Sequence, residues 1–153
     1  MPESSEGLAD VVIVDDDPSI TTLCRLHLER VGGLRVVGSG GTAAAGFDQA
    51  LTHRPDVVLV DLGLPDRSGE ALIGDLLRVL PETMVAAFTS VVAERAEARV
   101  RATGAFAYYE KDLLRDGRLG PYLRADLELF ARAVRGEDVV APSATERRDH
   151  RAG

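Results

Sequence analysis

The stretch DVVIVDDDPSI, residues 10–20, joins four consecutive apolar residues, three of them valines, to a triplet of aspartates and a Pro-Ser pair. A short, continuous, β-branched run bounded by charges suits a strand buried on both faces, so residues 10–14 are expected inside a sheet with cover above and below. Pro18 stands where a first helical turn tolerates it, because its missing N–H has no helical partner there anyway. Ile20, Leu23, Cys24, Leu28 and Val31 follow at helical spacing, and Gly32-Gly33 stops the helix. A buried strand, a polar joint and an amphipathic helix make one unit, and its repetition decides the fold.

The unit recurs outward along the chain. Leu34–Gly38 reads as a strand, and Thr42 can cap a helix running to about Thr52. Asp56–Val60 is a second continuous apolar run. A loop containing Pro65 and Gly69 then leads into a helix with Leu72, Ile73, Leu76, Leu77 and Leu80 on one stripe, ended by Pro81. Met84–Phe88 reads as the fourth strand and Ala105–Tyr109 as the fifth. Residues 92–103 between them read as a helix, with a thin apolar stripe among Glu94, Arg95, Glu97, Arg99 and Arg101. Leu123, Leu127, Phe130 and Val134 define a last helix ending near Gly136. Five strand–helix pairs predict an α/β fold, a doubly wound five-stranded parallel sheet with helices on both faces. Residues 1–9 are expected to be a flexible N-terminus, 10–136 the domain, and 137–153 a polar tail.

Composition narrows the classes. A chain of 153 residues, 45% apolar and 28% charged, has room for one domain with a sizeable core. Its apolar runs reach four to six residues, too few to span a bilayer, and MPESSEGLAD lacks the basic start and apolar stretch of a signal peptide. The single Cys24 excludes an internal disulfide and fits a reducing cytoplasm. A net charge of −7 argues against direct nucleic-acid binding by this chain, which would need basic surface to displace counterions. Of the 18 basic residues only Lys111 is a lysine.

In a parallel sheet all strands point one way, and ligands bind beyond their C-terminal ends. The residues just past each apolar run are therefore the informative ones: Asp15-Asp16-Asp17 after VVIV, Asp61 after DVVLV, Thr89-Ser90 after MVAAF, and Lys111 after AFAYYE. One rim collects carboxylates, hydroxyls and an ammonium. Crowded carboxylates repel, and a hard divalent cation such as Mg2+ relieves that repulsion. A carboxylate beside the metal can attack phosphorus, while hydroxyl and ammonium hold the oxygens of a transferred phosphoryl group. Asp17, immediately before Pro18, suits a helix cap better than this site. His27 lies on the apolar stripe of the first helix and reads as packed or half-exposed. His53 reads as a loop residue.

VVIVDDDPSI, DVVLVDLGLPDRSGEAL, AAFTS and GAFAYYEKD, in this order and spacing, resemble the receiver domain of two-component response regulators over about residues 10–136. The resemblance implies the flavodoxin-like receiver fold and a phosphoprotein that takes a phosphoryl group on Asp61 from a sensor histidine kinase. It also implies Mg2+ held by Asp16, Asp61 and the Gly63 carbonyl, with Asp15 acting mainly through water. Thr89, with Ser90 beside it, and Lys111 would contact the phosphoryl oxygens. Tyr108 occupies the family's aromatic switch position and would turn inward with Thr89, remodelling the surface of the fourth helix, fifth strand and fifth helix. Phosphorylation-linked homodimerisation is the family's common outcome.

GAFAYYEKD and ELFARAVRGEDVVAPSATERR further resemble the end of a LuxR-type regulator's receiver and the start of its linker, which implies a role in transcription. Residues 137–153 fall far short of the roughly 50 residues that a helix-turn-helix output domain needs. Two departures stand out. Asp112 follows the lysine where many receivers have proline, and LLRDGRLGPYLR makes a long connection to the last helix. A competing reading, a haloacid-dehalogenase-like phosphatase using Asp15 and Asp17, leaves Asp61 and the LGLP loop without work. A pseudo-receiver that binds partners without phosphate has nothing to recommend it, since every chemical position is filled.

Overall fold

The five apolar runs become five strands: β1 (Ala9–Val14), β2 (Leu34–Gly40), β3 (Val57–Val60), β4 (Met84–Thr89) and β5 (Ala107–Glu110). In this computed structural model, which describes residues 7–152, they pair in parallel in the order β2-β1-β3-β4-β5. The first six residues of the N-terminal segment lie outside the described residues. Among the described residues seven helices accompany the sheet: α1 (Pro18–Val31), α2 (Ala43–His53), α3 (Gly69–Val79), α4 (Ala93–Ala102), α5 (Asp112–Arg115), α6 (Leu119–Val134) and α7 (Ala144–Ala152).

Strand alternation explains why the runs are continuous rather than half polar. Val12, Val14, Val58, Val60, Val85, Ala87 and Tyr108 face one side, where Leu72, Ile73 and Leu76 of α3 and Val100 of α4 cover them. Their neighbours Val11, Ile13, Val57, Leu59, Ala86, Phe88 and Tyr109 face the other, under Cys24 and Leu28 of α1 and Leu119 and Leu123 of α6. Each strand position therefore has an apolar partner above or below. The thin stripe of α4 suffices because it packs on the sheet through Ala93, Ala96 and Val100. β2 runs two residues past the expected Gly38. Its register shifts where Val11 pairs with Val36 but Val12 with Gly38, and pairing then continues to Gly40.

Helix starts behave as their sequences dictate. Asp17 Oδ1 accepts from Ser19 N at 2.9 Å, Thr42 Oγ1 from Ala45 N at 3.0 Å and Ser68 Oγ from Ala71 N at 3.1 Å. Asp66 adds a second anchor to α2, accepting from Ala43 N at 2.7 Å and Ala44 N at 3.1 Å. His27 is half-buried, as its place on α1 predicts, and its Nε2 accepts from Gly120 N at 2.9 Å, tying α1 to the start of α6. Burial and the nearby Arg30 hold its pKa below the ordinary value, which keeps the ring in the neutral form that can accept.

Two regions differ from the sequence reading. The connection LLRDGRLGPYLR is mostly helix: α5 makes one turn, Gly117 takes the positive φ of 71° that the reversal needs, and α6 begins at Leu119. Pro121 sits in the first turn of α6, where a missing N–H costs little. Residues 137–153, read as a polar tail, carry α7, which folds back on the domain so that Ala144 and Arg147 on it, and Ala141 just before it, are buried. Ser143 Oγ accepts from Glu146 N at 3.1 Å at its start, half of a capping box. Among the described residues no helix is long and apolar enough to cross a membrane.

Candidate functional site

The ladder hydrogen bonds continue one residue past the strands, and this sets where the polar side chains stand. Asp15 N donates to Gly40 O at 3.0 Å, Asp61 N to Val14 O at 2.9 Å, and Lys111 N to Thr89 O at 2.8 Å. The residues after β1, β3 and β5 are thereby as well fixed as the strands, and all three emerge at one rim.

Asp15, Asp16 and Asp61 each offer a carboxylate oxygen, and these atoms all lie within 4.8 Å of one another. Asp15 and Asp61 are buried, while Asp16 is exposed. Lys111 Nζ reaches between them, 2.6 Å from Asp15 Oδ2 and 3.3 Å from Asp61 Oδ2. The remaining Asp15 oxygen, Oδ1, accepts from Asp17 N at 2.9 Å, and Asp61 Oδ1 from Gly63 N at 3.3 Å. The buried Asp15 Oδ2 has the ion pair but no aligned hydrogen bond. Burial raises the Asp15 pKa, the Lys111 and Asp17 contacts pull it back, and Asp61 pushes it up again. Burial pulls the Lys111 pKa down, but Asp15 and Asp61 together carry it above its ordinary value. Three carboxylates facing one ammonium leave formal negative charge in a compact oxygen-rich pocket. That donor set suits a hard divalent cation.

The other expected residues surround this centre. Thr89 is buried at the end of β4, and its Oγ1 accepts from Val91 N at 3.2 Å. Ser90 is exposed and lines, with Glu110, Lys111 and Arg148, a groove of about 400 Å³. Tyr108 is fully buried, and its hydroxyl donates to Val91 O at 2.7 Å. Burial, with Glu110 and Glu97 adding repulsion, pushes its pKa up to about 12. The ring that the resemblance has turning inward is thus already inside.

Asp17 does not join the cluster. Its carboxylate caps α1, so the Asp15/Asp17 pair of a dehalogenase-like phosphatase is not assembled. Glu110, passed over in the sequence, accepts from Ala93 N at 2.8 Å and from Arg148. Its signal was an acidic residue closing a buried strand directly before Lys111.

Gly69 holds α3 against the site. A Cβ there would lie 2.2 Å from Asp61 O and 2.7 Å from Leu62 Cα, both backbone. Gly69→Ala is therefore expected to cost about 1–3 kcal/mol of stability and to displace Asp61. Thermal unfolding and Mg2+ affinity check this together; unchanged values for both would mean that α3 moves aside freely.

The family model for the response regulator receiver domain matches residues 11–119. This chain belongs to that family. Among curated relatives of the receiver, KdpE of Mycobacterium tuberculosis, a transcriptional regulatory protein, is 42% identical over 66 residues, which cover 43% of this chain and 28% of KdpE. Among solved structures, a CheY-like receiver from Methanospirillum hungatei superposes with a TM-score of 0.72 at 25% identity, covering 82% of this chain and 98% of that one. A LuxR-family response regulator from an Aurantimonas species gives a TM-score of 0.75 at 24% identity, with 95% and 99% covered. The matches span 28% to 50% of the length of the curated relatives. The sheet order, with helices around it, is that of the flavodoxin-like receiver fold.

Proposed function

We propose that this receiver takes a phosphoryl group on Asp61 from the phosphohistidine of a sensor histidine kinase. The observation that carries the reading is the cluster of Asp15, Asp16 and Asp61 at the C-terminal rim of the sheet, with Lys111 paired to Asp15 and Asp61. An Asp61 carboxylate oxygen attacks phosphorus, the phosphorus–nitrogen bond breaks, its electrons leave with the imidazole, and Asp61 becomes an acyl phosphate. Asp15, Asp16, Asp61 and the Gly63 carbonyl are the groups that would hold Mg2+. When bound, the ion neutralises charge on the oxygens in transfer. Lys111, Thr89 and Ser90 are assigned to the phosphoryl oxygens, since such transfers depend mostly on positioning and charge neutralisation.

Switching in this reading starts at Thr89. Turning its hydroxyl toward the phosphoryl group takes the acceptor from Val91 N, and Val91 O is the partner of Tyr108. With Tyr108 already buried, the loop Ser90–Val92 is the part left to move, and the α4–β5–α6 face responds as a shift between two packings. That face would then control an output partner or a phosphorylation-linked homodimer, with transcription as the process the relatives' names favour. The net negative charge supports a role that does not include direct nucleic-acid binding by these residues.

Acetyl phosphate with Mg2+ is expected to add one phosphoryl group to the intact mass. The adduct should be lost with chelator and absent in Asp61→Asn. An adduct that survives in Asp61→Asn would move the acceptor elsewhere. Failure of both acetyl phosphate and beryllofluoride to bind would overturn the phosphoacceptor reading.

A further inference from the structure

The face made by α4, β5 and α6 is covered by the chain's own C-terminal helix. Arg148 of α7 shares its guanidinium between two elements: Nη1 and Nη2 reach Glu94 of α4 at 2.9 and 3.0 Å, and Nε and Nη2 reach Glu110 of β5, each at 3.1 Å. Arg147 enters between β5 and α6, where its Nη2 donates to Asp126 Oδ2 at 2.6 Å. At the other end of α4, both oxygens of Glu97 accept from Ala144 N at 3.2 Å, and Arg101 Nη2 donates to Ala141 O at 2.7 Å. Carboxylates on the face thus meet arginines and a helix start on α7.

Arg148 is also joined to the phosphorylation site by direct contacts. Glu110 Oε2 accepts from Arg148 and from Ala93 N, the first residue of α4. Ala93 follows the loop whose Val91 is bonded to both Thr89 and Tyr108. Glu110 itself precedes Lys111. A shift of Ser90–Ala93 that parts Glu94 from Glu110 would take one of them out of reach of the planar guanidinium fork of Arg148, which holds both here.

We propose that α7 is an intramolecular strap on the α4–β5–α6 face, and that its docking and phosphorylation of Asp61 oppose one another. The coupling rests on the phosphoacceptor reading above. Drawing Thr89 toward the phosphoryl group releases Val91 N, shifts the start of α4 and separates the two carboxylates that hold Arg148. By linkage, releasing α7 must favour the modified state by the same factor. For a coupling of ordinary size that factor is about tenfold.

Amide exchange over residues 139–148 of the full chain, before and after acetyl phosphate with Mg2+, tests this beside intact mass on the same samples. The unmodified protein should protect these amides, and the phosphorylated form should lose about tenfold of that protection. Arg148→Glu and Glu94→Lys break the same contact from opposite sides. Each should weaken the docking without modification, raising exchange across the segment, and, by calorimetry with Mg2+, bind beryllofluoride more tightly than the wild type, by up to about tenfold. A phosphoryl adduct with protection unchanged would overturn the strap alone. So would released variants that bind beryllofluoride with wild-type affinity, or an unprotected segment in the unmodified protein. No adduct and no beryllofluoride binding in any variant would bring down the Asp61 reading and the coupling with it.

Discussion

Arg147→Ala is expected to lower the stability of the domain by about 3–5 kcal/mol in urea unfolding, because it breaks a buried ion pair from one side only. The side chains of Arg147 and Asp126 are 6% and 1% exposed, and Asp126 Oδ2 takes both Arg147 Nη2 and the Tyr109 hydroxyl, each at 2.6 Å. Truncation leaves Tyr109 as the hydrogen-bond partner of Asp126 among the described residues, with the Arg101 charge acting through space. Burial already raises the Asp126 pKa, and Arg147 is the foremost group pulling it back, so the variant's value must rise further. A carboxyl with a raised pKa binds its proton more tightly in the folded chain than in the unfolded one. Its stabilising contribution is complete below the unfolded value near 3.8 and is lost as pH rises through the folded value. The penalty of Arg147→Ala should therefore shrink as pH is lowered from 7 toward 4, and adding Asp126→Asn should recover part of it at pH 7. A penalty that is flat in pH would put the cost in packing on Tyr122 and Tyr109, whose ring centroids lie 4.6 and 5.5 Å from the guanidinium.

Lys111→Met should behave oppositely with and without metal. Asp15 is buried, and its charge is balanced by an ammonium 2.6 Å away. Removing that ammonium in chelator is expected to cost about 2 kcal/mol, less than a fully enclosed pair because the lysine keeps some contact with water. The same loss leaves three carboxylates without a competing cation, so Mg2+ should bind the variant more tightly than the wild type. At about a hundred times its dissociation constant the ion adds about 2.7 kcal/mol. At equal Mg2+ concentrations below saturation, the rise in Tm should thus be larger in Lys111→Met than in the wild type. Equal rises would mean that Lys111 and the ion do not share a site.

The sheet and its rim were legible because both rest on short-range pattern. Val11–Val14 and Val57–Val60 are apolar throughout since each side of the sheet is covered, and one ladder bond past each strand is enough to place Asp15, Asp61 and Lys111. What escaped depends on partners far along the chain. ATERRDHRA has no apolar stripe to mark it, and α7 is held by arginines that reach carboxylates 21 to 54 residues earlier. Ser143 and Glu146, at capping-box spacing, were the local sign that a helix begins there. Gly117 and Pro121 look like loop residues in isolation, yet one makes the turn and the other starts a helix. The inward position of Tyr108 could not be foreseen from a residue that the family places on either side of a switch.

The solitary lysine has a practical consequence. Reagents that acylate amines usually decorate a protein's outside at random, but here the single ε-amine lies between Asp15 and Asp61 with 17% of its side chain exposed. Its raised pKa keeps it protonated, and so poorly nucleophilic, in the intact protein. Conjugation chemistry aimed at side-chain amines would therefore spare the folded surface. Where it did succeed, the attached group would mark molecules whose carboxylate pocket had already opened.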